Sequence, residues 1–390
     1  MAPLASLSNL KRPDLFQQKG FIAESWVDSV SGSTFDVVNP ATLETIATLP
    51  EMNATDTAKA VTAAHEAFKS YKKTSARQRA RWLRQWYALC MEHLEDLALV
   101  LTLENGKPLA EAKGEVIYAA SFLDWFAAEA ERTHGEVVPT ANLGQRILTI
   151  KEPIGVAACL VPCNFPIAMI TRKVGAAALA QALLAQEVGF PKGTVNVVTT
   201  LNNVAEVGEA LCKSKLIRKL SFTGSTRVGK ILVEQSSANL TKLSLELGGN
   251  SPFIVFDDAK VETAVDAYAT SRGASVLLGG AMSMESLTTT EEVFAPVGAL
   301  FPFKTEEEVI EKANDCDVGL GSFIITESIS RMWRVAESLE VGMVGVNLGM
   351  LSACESPFGG VKESGYGREG GRHGIYEYLT VKSILINVLS

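Results

Sequence analysis

A glutamate that closes an apolar run and precedes two glycines, Glu246-Leu247-Gly248-Gly249-Asn250, is the first candidate for proton chemistry. Apolar neighbours disfavour a charged carboxylate and raise its pKa, which suits a general base near neutral pH. The glycines let a ligand come close to the backbone. On these five residues alone, a Glu that caps a nearby helix is an equally good reading. The second candidate is Pro162-Cys163-Asn164-Phe165-Pro166. Two prolines pin a polar loop, and an Asn held this way can donate a side-chain N–H to a developing oxyanion. By itself, Asn164 satisfying the turn is the simpler reading. In Phe222-Thr223-Gly224-Ser225-Thr226 a strand runs into a helix, so Gly224 and Ser225 could meet a phosphate at a helix N-terminus. The segment lacks the GxGxxG spacing, and an ordinary tight turn is again simpler. The glycine-rich run from Pro357 to Glu369 does not match a P-loop and reads as a flexible loop near a site.

Positioning such side chains takes alternating elements. Helical periodicity spans residues 55–132, with a break at Asn105-Gly106 and Lys107-Pro108. Residues 136–152 read as extended. An apolar strand is expected at 156–161, helix at 167–188 and a β-rich stretch at 194–199. Helix at 204–212, strand at 218–222 and helix at 227–235 follow, then short strands at 243–245 and 252–256. Asp257 and Asp258 are expected to cap a helix from Val261. The alternation implies an α/β fold with a parallel, helix-covered sheet.

Composition narrows the function. A net charge of -8 argues against a nucleic-acid partner, and Lys72, Lys73, Arg77, Arg79, Arg81 and Arg84 read as one solvated helix face. Six cysteines, spread singly, point to a reduced, cytoplasmic protein. The most apolar stretch, residues 153–170, is interrupted by Pro162, Asn164 and Pro166, so no membrane span is expected. Four histidines without ligand spacing give no case for a metal.

Taken in order, PCNFP, SFTGST, LELGGN, EEVFAP and PFGGVKESGYGRE, with Asn39-Pro40-Ala41-Thr42 near the start, resemble the aldehyde dehydrogenase superfamily over nearly the whole chain. The resemblance implies NAD or NADP as cofactor and an oxidation that passes through a cysteine thioester. It implies Asn164 in the oxyanion hole and Glu246 as the base that activates water. Pro162, Gly224, Ser225, Val228 and Leu247 would line the cofactor, Glu292 and Phe294 would hold the nicotinamide ribose and ring, and Phe358 would wall the pocket. Two matches point to the succinate-semialdehyde branch. Arg172, in Ile170-Thr171-Arg172-Lys173, resembles an arginine that binds a distal carboxylate, and Ser352 a serine that assists it. A guanidinium suits that task because it pairs with a carboxylate in bidentate fashion. A surface salt bridge is the plainer role for Arg172, and an aldehyde dehydrogenase of wider specificity the runner-up activity.

The implied architecture has a Rossmann-like NAD(P)-binding domain (1–133 and 154–264) and a second, shortened α/β catalytic domain (265–370). A β oligomerisation element (134–153 and 371–390) would build a homodimer or homotetramer. Three pieces of the pattern are missing: between Ala180 and Gln181, between Ser271 and Arg272, and between Gly280 and Met284. The second gap is where the catalytic cysteine belongs. Cys163 and Cys354 lie near the expected pocket without matching it; Cys90, Cys159, Cys212 and Cys316 read as packing thiols. Either this is a non-catalytic scaffold, or the active protein carries further segments at these junctions. The second is expected, because each gap interrupts regular structure and losing a core strand exceeds a domain's marginal stability.

Overall fold

The helices of the N-terminal half begin at side-chain caps. Asn53 accepts the amides of Thr55 and Asp56, and Asp56 reaches back to Asn53, starting the helix Ala54–Tyr71. Ser75 accepts from Gln78 and starts Ala76–Glu92. Leu94–Asn105 ends at Gly106 in the left-handed region, and Leu109–Ala130 follows. The expected break at residues 105–108 is therefore present, and the Ser75 cap adds another. In this computed structural model the described residues are 7–162, 164–174, 179–272, 277–281, 291–295 and 297–388. Cys163 and, near the three sequence gaps, residues 175–178, 273–276 and 282–290 lie outside them.

The chain divides into two compact units. The first comprises 1–221, 231–243 and 369–390. Its core joins Trp86, Leu97, Leu101, Val116, Leu123, Ile167 and Leu184. The expected extended segment forms Glu136–Val138 and Gln145–Pro153, and Gln145–Pro153 pairs antiparallel with Leu379–Asn387. Both faces of that last strand are exposed. The helix expected at 167–188 appears as Ala168–Val174 and Leu179–Val188. The β-rich stretch at 194–199 forms no strand: Val197 makes one isolated bridge to Phe21, and Thr199 accepts the amide of Met52. Its β-branched residues had the propensity, but only these single contacts offer it a ladder.

The second unit comprises 222–230 and 244–368. Its parallel sheet has Gly321–Ile325 between Phe253–Val255 and Met343–Val346. Ile254, Phe256, Val309, Ile324, Val335 and Leu339 form its core. Asp258 does not cap the helix Val261–Arg272. Its carboxylate instead accepts the Thr326 hydroxyl at 2.8 Å and the amides of Glu327 and Ser328, just before the helix Ile329–Ser338. Arg331 pairs with it at 2.7 Å, which makes the long-range contact stronger than a local cap.

Lys219, with its side chain wholly buried in the first unit, meets Glu377 at 3.0 Å. Burial pushes its ammonium down to about 8, against the opposing pull of Glu377. An unfolded lysine keeps its proton to higher pH, so between about pH 8 and pH 10 the unfolded chain binds more protons and stability gains with rising pH. Cys159, pushed up to about 11 by burial, acts in the opposite sense. Urea midpoints of wild type and Lys219→Met across this range isolate the lysine. The wild type is expected to gain relative to the variant as pH rises; parallel curves would contradict the assignment.

Candidate active site

The sequence-selected residues fall into two groups, one in each unit. In the second unit, which begins again at Ser244, the C-terminal part of the strand Lys242–Glu246 carries the chemistry. Glu246 is 8% exposed, and its Oε2 accepts the Thr223 hydroxyl at 3.0 Å. Its backbone carbonyl accepts the amide of Gly224 at 3.0 Å. Two motifs far apart in sequence are thus joined, the strand-to-helix turn and the glutamate segment. Ser225 is exposed and its Oγ accepts the amide of Val228 at 3.4 Å as the helix Thr226–Ser236 begins. Half-buried Gly224 and Val228 flank it, and Leu247 is buried beside Gly229.

Beyond Glu246 the two glycines meet Glu292. The amide of Gly249 donates to Glu292 Oε1 at 3.1 Å. Burial raises the Glu292 pKa, and the Gly249 amide pulls it back down. Phe294, two residues on, is 78% exposed. Ser352 and Phe358 are half-buried.

The glycine-rich run is not the flexible loop expected of it. The Leu245 amide donates to Tyr366 O at 2.8 Å and the Leu247 amide to Ser364 O at 3.0 Å, so the run brackets Glu246. The Ser364 hydroxyl donates to Gly248 O at 2.6 Å and accepts the Gly319 amide at 2.9 Å. Gly365, at φ +100°, lies so close that a Cβ would fall on the carbonyl of Leu245. The glycines serve close backbone approach, which composition alone does not separate from flexibility.

In the first unit, Pro162 is half-buried and Asn164 exposed. Asn164 Oδ1 accepts the amide of Phe165 at 3.0 Å. Arg172, carried by the helix Ala168–Val174, is 2% exposed and no surface residue. Its Nε lies 2.7 Å from Glu369, and its Nη2 lies 3.2 Å from Met169 Sδ. Lys173 also pairs with Glu369, and Ser221 Oγ lies 3.4 Å from the same carboxylate. A substrate carboxylate would have to share the guanidinium with Glu369. Sequence reasoning missed Glu369, Thr223 and Ser364 as partners. Thr223 stood inside a singled-out motif, while Glu369 closed one and looked like a loop carboxylate. Among the thiols expected to pack, Cys90 and Cys212 are buried, whereas Cys159 and Cys316 are half-buried; so is Cys354.

The arrangement offers a carboxylate that can take a proton and a second carboxylate at a glycine pair. An exposed Ser-helix start also suits a phosphate.

Comparison with known proteins bears on the family and the fold. The aldehyde dehydrogenase family profile matches residues 26–275 and 273–384, two pieces that meet at 273–275, shortly after the sequence gap that follows Ser271. NADP(+)-dependent succinate-semialdehyde dehydrogenase 1 of Schizosaccharomyces pombe is 42% identical over 491 positions, covering 98% of each chain. With 390 residues here, at least about a hundred of those positions face no residue of this chain. Glutarate-semialdehyde dehydrogenase of Pseudomonas putida is 39% identical, covering 97% of this chain and all of that one. The crystal structure of succinate-semialdehyde dehydrogenase from Burkholderia pseudomallei aligns with a TM-score of 0.93 at 37% identity, over 97% of this chain and 100% of that one. The chain belongs to the aldehyde dehydrogenase family and has its α/β fold.

Proposed function

We propose that this protein oxidises succinate semialdehyde to succinate, with NADP or NAD as hydride acceptor. The observation that carries this is the near-complete match to relatives named for semialdehydes that bear a distal carboxylate. The arrangement around Glu246 supports it. In the proposed cycle a thiolate adds to the aldehyde carbon, and Asn164 donates to the oxyanion. A nicotinamide bound there would supply the hydride acceptor. Glu246 then takes a proton from water, which attacks the thioester and releases succinate. Gly224, Ser225, Val228, Leu247 and Pro162 line the cofactor, with Glu292 and Phe294 at its ribose and ring. No residue of the chain matches the thiolate. The gap at Ser271 and the unmatched positions support an active protein with a further segment there.

Arg172 and Ser352 hold the distal carboxylate in this reading, and Phe358 walls the pocket. Replacing Arg172 by Met is expected to raise KM for succinate semialdehyde by about tenfold to a hundredfold, the worth of a charged hydrogen bond. KM for butanal should change by less than about twofold, since that aldehyde has no carboxylate to lose. Equal effects on both aldehydes would remove Arg172 from substrate recognition.

Among the described residues, no helix is long and apolar enough to cross a membrane. We place the protein in the cytoplasm. The two-faced exposure of the strand Leu379–Asn387 supports a homodimer or homotetramer built through 134–153 and 371–390. Residues 1–133 with 154–264 and residues 265–370 remain our proposed cofactor and catalytic domains.

A further inference from the structure

We propose that Lys107 and Glu115 are the positioning residues of Asn164; the inference rests on the oxyanion role read for that side chain. The break at Asn105-Gly106-Lys107-Pro108 finds its use here. Gly106 takes φ +82°, and a Cβ there would lie 2.7 Å from Pro40 Cγ, so the chain reverses tightly and turns Lys107 inward. The Lys107 side chain is 11% exposed. Its Nζ donates to Glu115 Oε2 at 2.5 Å and to the carbonyl oxygen of Asn164 at 3.1 Å. The same ammonium sits 4.5 Å from the centroid of the Phe165 ring.

Glu115 completes the grip. Its side chain is 1% exposed, and its other oxygen accepts the amides of Ile167 at 2.9 Å and Ala168 at 3.3 Å. One ion pair therefore holds the loop on both sides of Phe165 and Pro166. Asn164 Oδ1 is committed to the Phe165 amide, which leaves the NH2 group as the donor end of the side chain. A buried ion pair is a poor source of stability, because apolar residues of like volume often serve as well. Three polar bonds and one ring contact from this pair converge on a single loop and give it a different use, which is to fix where that donor stands.

Lys107→Met is expected to lower kcat for succinate semialdehyde by about tenfold to a hundredfold with KM within about twofold, as a displaced oxyanion donor does. Lys107→Arg, which keeps the cation, should recover most of it. A purely structural role would shift Tm without splitting kcat from KM. Glu115→Gln replaces a charged acceptor by a weaker neutral one. Hydrogen exchange at the Ile167 and Ala168 amides should then quicken by about tenfold. Unchanged exchange at both amides overturns the grip, whether or not the protein turns over. Faster exchange with unchanged kcat in Lys107→Met overturns its link to Asn164. A wild type without turnover contradicts the proposed function instead, and the exchange measurement still decides the grip.

Discussion

Glu246→Gln, made in the catalytically active protein, is expected to cut steady-state turnover of succinate semialdehyde by about a thousandfold, within the range a positioned general base supplies. Gln keeps the size of the side chain and can still accept the Thr223 hydroxyl that now lies 3.0 Å from Oε2. It cannot take a proton from water. Hydride transfer precedes the step that needs the base, so one burst of reduced cofactor per active site should survive and then stall at the thioester. Rapid-mixing kinetics separate the burst from the steady state. Turnover within about threefold of wild type would remove Glu246 from the role of base. Loss of the burst together with turnover would mean that the substitution had damaged an earlier step.

Gly365→Ala should destabilise the second unit by about 3 kcal/mol, the sum of left-handed strain and forced overlap. The backbone at Gly365 has φ +100°, and the added methyl would fall on the Leu245 carbonyl carbon and oxygen. Neither neighbour can yield cheaply. Leu245 is 3% exposed, and its amide is bonded to Tyr366. Moving that strand would also drag Glu246, so activity should fall with stability. Gly114 is the control: it lies within the helix Leu109–Ala130, and a Cβ there meets nothing within 4 Å. Gly114→Ala is expected to stabilise by about 0.5–1 kcal/mol through helix propensity. Urea denaturation reads both. A loss below about 0.5 kcal/mol at Gly365 would place it among ordinary surface changes and contradict the close packing of the run.

The pattern of what the sequence revealed follows the range of the interactions. The helices around residues 54–130 were legible because apolar periodicity and the Gly106 stop are local signals. The strand Ile217–Thr223 and the turn after it were legible for the same reason. Asp258 misled because an Asp ahead of a helix looks like its cap, while its partners lie about seventy residues on, at Thr326 to Arg331. Residues 194–199 misled because β propensity needs a partner edge, and only isolated contacts with Phe21 and Met52 were available. Among the candidate residues, Glu246 and Gly224 in the second unit and Asn164 in the first stood out through flanking Gly and Pro. Glu115 and Glu369 did not: the motif that Glu369 closes gives no sign of Arg172, 197 residues away, and the helix around Glu115 gives none of the Ile167 amide, 52 residues on.

The decisive measurement is the intact mass of the protein purified from its source by following succinate-semialdehyde-dependent reduction of NADP. The sequence gap after Ser271, close to where the two pieces of the family match meet, predicts that the active fraction weighs well above the 41.8 kDa of this chain. The excess should contain a cysteine that an aldehyde-competing alkylating agent labels. An active fraction of 41.8 kDa would contradict this, and would move the nucleophile to one of the six cysteines already in the chain.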